Sequence, residues 1–125
     1  SPVAEAKNQD DIRLAYSAAG GRLFRNHRGK IQDKRTDTWH EFGLAPGASD
    51  LIGWTPVVVT QEMVGQTVAV FTAVEVKRDA AAARRKNKLT GQQRNFCNQV
   101  RAAGGLALFA WTVRQALELL KQRSF

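Results

Sequence analysis

The chain has 125 residues, 43% of them hydrophobic, with 19 Lys and Arg against 11 Asp and Glu. That is the size of one ordinary domain with enough apolar content for a core, and we expect a single domain over residues 1–125. No apolar run is long enough to span a bilayer, the lone Cys97 excludes an internal disulfide and a multi-cysteine zinc site, and a formal net charge of +8 favours polyanions through Coulomb attraction and counterion release.

The N-terminal stretch SPVAEAKNQDD is polar and carries no signal-peptide core. A reducing, cytoplasmic setting is the expectation. VAEAKNQDDIRLAYSAAGG reads as a helix, with Ile12, Ala15, Tyr16 and Ala19 as its apolar stripe and Gly20-Gly21 as its stop. RLFRN then suits a short strand. Residues 28–49 read as mostly loop, polar and turn-rich, and long loops of this kind are often functional.

DLIGWTPVVV (50–59) and TVAVFTAVEVK (67–77) are apolar and β-branched, and TQEMVGQ between them suits an antiparallel hairpin. Pro56 marks a bulge or an edge position. DAAAARRKNK is basic, either helical or mobile. LTGQQRNFCNQVRAAGG reads as a helix with Phe96, Cys97 and Val100 on its apolar side and Gly104-Gly105 at its end. LALFAW (106–111) suits a strand buried on both faces, and a helix before it implies a parallel crossover. TVRQALELLKQRSF is a last amphipathic helix, with Thr112 and Gln115 at capping-box spacing. The order is α-β-β-β-α-β-α, an α/β fold with a mixed sheet flanked by helices.

Side chains alternate along a strand, so Glu75 and Lys77 in AVEVK share one face, and Val74 and Val76 are expected on the opposite, packed face. Asp50 begins the first strand of the expected hairpin and Lys77 ends the second, which would bring Asp50, Glu75 and Lys77 to one corner. Two carboxylates suit a hard cation such as Mg²⁺ or Mn²⁺ that keeps several waters. Such an ion activates water and neutralises phosphate charge, and a lysine beside it stabilises the charge on a scissile phosphate. The plainer alternative makes Glu75 and Lys77 a strand-end salt bridge and Asp50 a turn residue.

GASDLIGW, the hairpin, AVEVK and LTGQQRNFCNQVRAAGGLALFAW, in that order, resemble the VRR-Nuc branch of the PD-(D/E)xK nucleases, with a restriction-endonuclease-like core. The N-terminal EAKNQDDIRLAYSAAGGRLFRN resembles that family's first helix and the arginine-asparagine segment after it. The resemblance implies metal ligation by Asp50, Glu75 and the Val76 carbonyl, with Lys77 catalytic. It places the family's glutamine on Gln93 and its first-helix glutamate on Glu5, bound to the metal directly or through water. Ser49 stands where the superfamily name expects proline. What is implied is a metal-dependent DNA endonuclease, a homodimer selective for branched DNA such as Holliday junctions, in a bacterial or phage-infected host cell. A nuclease without branch selectivity and a non-catalytic nucleic-acid-binding module are the alternatives.

Bland readings stand beside several of these residues. Thr90-x-x-Gln93 has capping-box spacing, and an acid at Glu5 suits a helix N-terminus by itself. Cys97 lies on an apolar stripe. His27 and His40 have no ligand spacing. Trp54 is expected to pack the sheet, and Trp39 lies in polar surroundings. Arg22, Arg25, Arg28 and Lys30, with Arg84, Arg85, Lys86 and Lys88, are the expected phosphate contacts.

Overall fold

The computed structural model describes residues 1–123 and divides into two compact units, Ser1–Val57 and Val58–Phe125. Both combine helices with open, non-barrel sheet, the α/β class expected, and among the described residues the strands form three two-stranded sheets where one mixed sheet was expected.

The N-terminal unit begins with α1 (Pro2–Ala18). Ser1 caps it, its hydroxyl accepting from the Ala4 amide at 3.2 Å. Pro2 occupies the first turn, where its missing N–H costs nothing. Gly20, with φ +100°, takes the left-handed conformation that ends the helix. The apolar stripe does not define the inward face. Ile12 stays 50% exposed and, among the described residues, none of α1 is buried. The half-buried positions are Gln9, Arg13 and Tyr16. Docking is polar instead: the Arg13 guanidinium donates to the Leu23 carbonyl at 3.2 Å, and Asp10 pairs with Arg25.

Strand β1 (Arg22–Arg25) pairs antiparallel with β4 (Leu51–Trp54), setting Leu23 opposite Gly53 and Arg25 opposite Leu51. Trp54 packs on Phe24 with ring centroids 5.5 Å apart, as expected of it. The segment expected to be loop contains a second antiparallel pair, β2 (Gly29–Asp33) and β3 (Thr38–Phe42). Every residue of β3 is exposed, so no alternation of buried and solvated side chains was there to be read. Backbone bonding and cross-strand pairs such as Lys30–Glu41, 3.8 Å apart, hold the hairpin instead.

The expected hairpin of 50–59 with 67–77 is corrected on both sides. β4 ends at Trp54, just before the Thr55-Pro56 step where proline offers no N–H to a ladder, and it pairs with β1. In the C-terminal unit, β5 (Thr72–Val76) pairs with β6 (Leu106–Ala110), and this pair is parallel, as the intervening helix required. The Lys77 amide extends it by donating to the Ala110 carbonyl at 2.8 Å.

Between these strands lie α2 (Ala80–Arg84), capped by Asp79, and α3 (Lys88–Ala102), capped by Asn87. The basic stretch is therefore helical at its start. Helix α3 buries Cys97 and Val100 against the strand pair and stops at Gly104, φ +94°. Ala107 and Ala110 of β6 complete this core with Leu119 and Ala83. Helix α4 (Val113–Glu118) starts at the expected capping box, with the Thr112 and Gln115 side chains each serving the other's backbone. A 3₁₀ turn follows over Leu119–Arg123, and the last two residues of the expected final helix lie outside the described residues.

Candidate functional site

In β5 the two faces are reversed from expectation. Val74 and Val76 are 40% and 74% exposed, while Glu75 and Lys77 turn towards α3 and are half-buried. An acid and a lysine go inward only if something there satisfies them. The Lys77 ammonium donates to Gln93 Oε1 at 2.6 Å and lies 4.0 Å from Glu75 Oε1. It also faces the Phe109 ring, 5.5 Å from the centroid, where the aromatic quadrupole favours a cation. The Lys77 side chain is 14% exposed and that of Glu75 35%, so the lysine is the deeper of the two. A cleft of about 380 Å³ opens at Glu75, lined also by Ala73, Gln92, Gln93, Phe96 and Cys97, and Lys77 lies behind that lining rather than in it.

Gln93 is free for this role because the capping alternative is not used. The cap of α3 is Asn87, whose side chain accepts from the Thr90 amide at 2.9 Å. Thr90 is itself buried. Helix geometry then puts Gln93 on the face towards β5, within reach of Lys77.

Asp50 lies in the N-terminal unit, exposed, at the bend that leads into β4. Its placement comes from Asn26, the last residue of the arginine-asparagine segment. The Asn26 amide donates to the Asp50 carbonyl at 2.8 Å. Its side-chain nitrogen donates to the Ser49 carbonyl and its oxygen accepts from the Leu44 amide, each at 3.1 Å. One asparagine, just past the end of β1, thus pins both ends of the 44–50 turn. Asparagine is suited to this because its amide both donates and accepts. Glu5 sits exposed in the first turn of α1, where the helix dipole alone favours an acid. Val76 faces Ala110 in the parallel register.

Among the described residues, no three His, Cys, Asp or Glu side chains gather as a metal-ligand set. Within the C-terminal unit, Glu75 supplies hard oxygen donors beside Lys77, one carboxylate where a Mg²⁺ site usually takes one or two.

The basic residues divide into two kinds. Arg25 is taken up by Asp10, and Lys30 by Glu41. Arg22, Arg28, Arg84, Arg85, Lys86 and Lys88 are exposed, and among the described residues none has a carboxylate partner. Arg94 was not singled out by sequence, yet its guanidinium lies over the Phe109 ring, 5.5 Å from the centroid. Burial pushes the Cys97 thiol up, with the Glu75 carboxylate adding to the effect and Arg101 opposing it. Cys97 is therefore a neutral core thiol, as its stripe position suggested. His40 shares a contact with Thr38 on β3 at 3.2 Å, and Trp39 beside it is 63% exposed.

Compared with family models, curated proteins and solved structures, the chain matches none.

Proposed function

We propose that the chain is a divalent-metal-dependent DNA endonuclease of the VRR-Nuc type, with a restriction-endonuclease-like core. The observation that supports this best is the Lys77 ammonium, inward-facing, anchored by Gln93 and set beside Glu75, and both Gln93 and Glu75 line an open cleft. A strand-end salt bridge would be solvated and would not need the glutamine. Lysine offers three N–H donors, of which Gln93 takes one. The remaining ones are available to an anionic oxygen, so the ammonium can stabilise charge that builds on a phosphate. Glu75 offers its carboxylate to the same opening.

A Mg²⁺ or Mn²⁺ ion, when bound, would lower the pKa of a water and offset phosphate charge. In this proposal Glu75 is one of its ligands, with Asp50, the Val76 carbonyl and Glu5 taken from the sequence resemblance. The exposed Arg22, Arg28 and Arg84–Lys88 cations attract the DNA backbone. A cytoplasmic homodimer acting on branched DNA is the fuller form of the proposal, by resemblance alone.

The absence of a three-ligand set among the described residues favours a second reading, a nucleic-acid-binding module without catalysis. A panel of junction, flap, duplex and single-stranded DNA, each with Mg²⁺, Mn²⁺ and EDTA, separates them. Cleavage that needs the ion and is lost in Lys77→Ala supports the nuclease. Binding that is indifferent to EDTA, with no cleavage of any substrate, leaves the module.

A further inference from the structure

A second cleft in the C-terminal unit, about 350 Å³, shares Cys97 with the first but not Glu75. Arg84, Arg94 and Arg101 line it, together with Asn98 and Phe109, and no acid does. Like charges at one concavity repel, so their convergence calls for something that holds them there. Arg94 and Arg101 are seven residues apart on α3, two helical turns, and so share a face. Neither is neutralised by a carboxylate among the described residues. Amide oxygens, three of the backbone and one of a side chain, fix them instead. Arg94 donates to the Ala83 carbonyl at 2.5 Å and to the Arg85 carbonyl at 3.4 Å. Arg101 donates to the Ala107 carbonyl at 3.0 Å and to Asn98 Oδ1 at 3.2 Å.

These bonds orient the guanidinium groups and leave their charge uncompensated. Each guanidinium has five donors and spends two of them here. Arg94 also grips the carbonyls on both sides of Arg84, which steadies the third cation at the rim. Orientation is thus settled before a ligand arrives, so little ordering cost remains at binding.

We propose that Arg84, Arg94 and Arg101 form a phosphate-binding pocket. A tetrahedral oxyanion presents several oxygens at once, which matches forked donors converging from α2 and α3 better than a single carboxylate does. The phosphate is either one in a nucleic-acid backbone or a free phosphate. The inference goes beyond the nuclease reading and does not require it, because the pocket needs no metal and its three arginines do not line the cleft at Glu75.

The test is NMR of the arginine Nε–H and backbone amide signals of the full chain, in EDTA. Inorganic phosphate is titrated against chloride at matched ionic strength, and a short DNA duplex is titrated separately. Saturable phosphate shifts at Arg84, Arg94 and Arg101, absent with chloride, are expected. If the duplex moves the same signals, the ligand is a backbone phosphate; if only inorganic phosphate does, it is a free one. In the backbone case, Arg84→Gln with Arg101→Gln lowers the salt slope of duplex binding by about 1 to 2, while Arg114→Gln, an exposed arginine on α4 outside the cleft lining, changes it less. In either case the double variant loses saturable phosphate binding and Arg114→Gln keeps it. Linear, chloride-like shifts, or a double variant that behaves as Arg114→Gln, overturn the pocket. Because metal is excluded throughout, these outcomes are independent of whether the chain cleaves DNA.

Discussion

Lys77, one residue past β5, donates a 2.6 Å hydrogen bond to Gln93 on the second turn of α3. This bond joins the strand that carries the candidate chemistry to the helix that covers it. It also sets which of the lysine's donors stay open. A hydrogen bond to a charged partner contributes about 1.5–3 kcal/mol. Gln93→Ala is therefore expected to lower unfolding stability by about that amount in a denaturant titration. Gln93→Glu keeps an acceptor and should recover most of it. Under the proposed function, Gln93→Ala reduces kcat about a hundredfold with a smaller change in KM, because the ammonium is no longer oriented. An Ala variant as stable as the parent would make the contact incidental.

Asn26 has a comparable part in the other unit. Two side-chain bonds to Leu44 and Ser49 contribute about 1–3 kcal/mol together. Asn26→Ala should lose that amount, and the Leu44 amide should exchange faster with solvent. Asn26→Asp keeps the acceptor for Leu44 but has no donor for Ser49, so its Leu44 amide should remain protected. Equal exchange at Leu44 in the Ala and Asp variants would exclude this division of labour.

Acid sensitivity is expected at Asp79. The Ala82 amide, and then Arg78, hold its carboxyl below the usual aspartate range. The folded pKa is depressed, so the stabilisation is present above the unfolded value and disappears as pH falls through the folded one. Helix α2 should loosen over that acidic window. Asparagine caps without titrating, so Asp79→Asn should flatten this pH dependence. The Ala82 amide shift, followed by NMR from neutral to acid pH, measures it directly. A parent and variant with the same acid profile would remove Asp79 as the cause.

The reversed faces of β5 give a simple mutational contrast. Val76 is 74% exposed, so Val76→Thr should change stability by no more than about 0.5 kcal/mol. Ala110, its register partner on β6, is buried and has no such freedom. Ala110→Leu is expected to cost about 1–3 kcal/mol by overpacking. Thermal unfolding of the two variants would show the order, and a large loss for Val76→Thr would return the valines to a packed interior.

Several features were legible from residues alone because they are local. Gly20 and Gly104 end two helices through φ values that only their own backbones decide. The Thr112–Gln115 capping box is equally short-range. The period of two placed Glu75 and Lys77 on one face, and the apolar run of β6, separated from β5 by a helix, implied a parallel partner. Tertiary structure decided what local rules leave open. Backbone N–H and C=O groups are the same at every residue, so the sequence of β4 does not say whether β1 or β5 completes it. Alternation fixes that Glu75 and Val76 oppose each other, but not which of them faces inward. Glu75 turns in because Lys77 finds Gln93 and Phe109 across the fold, from positions 16 and 32 residues away in the chain. Asn26 and Arg94 are ordinary polar residues until the chain brings backbone carbonyls within their reach. That proximity is non-local, and it is where the sequence stops and the fold begins to assign roles.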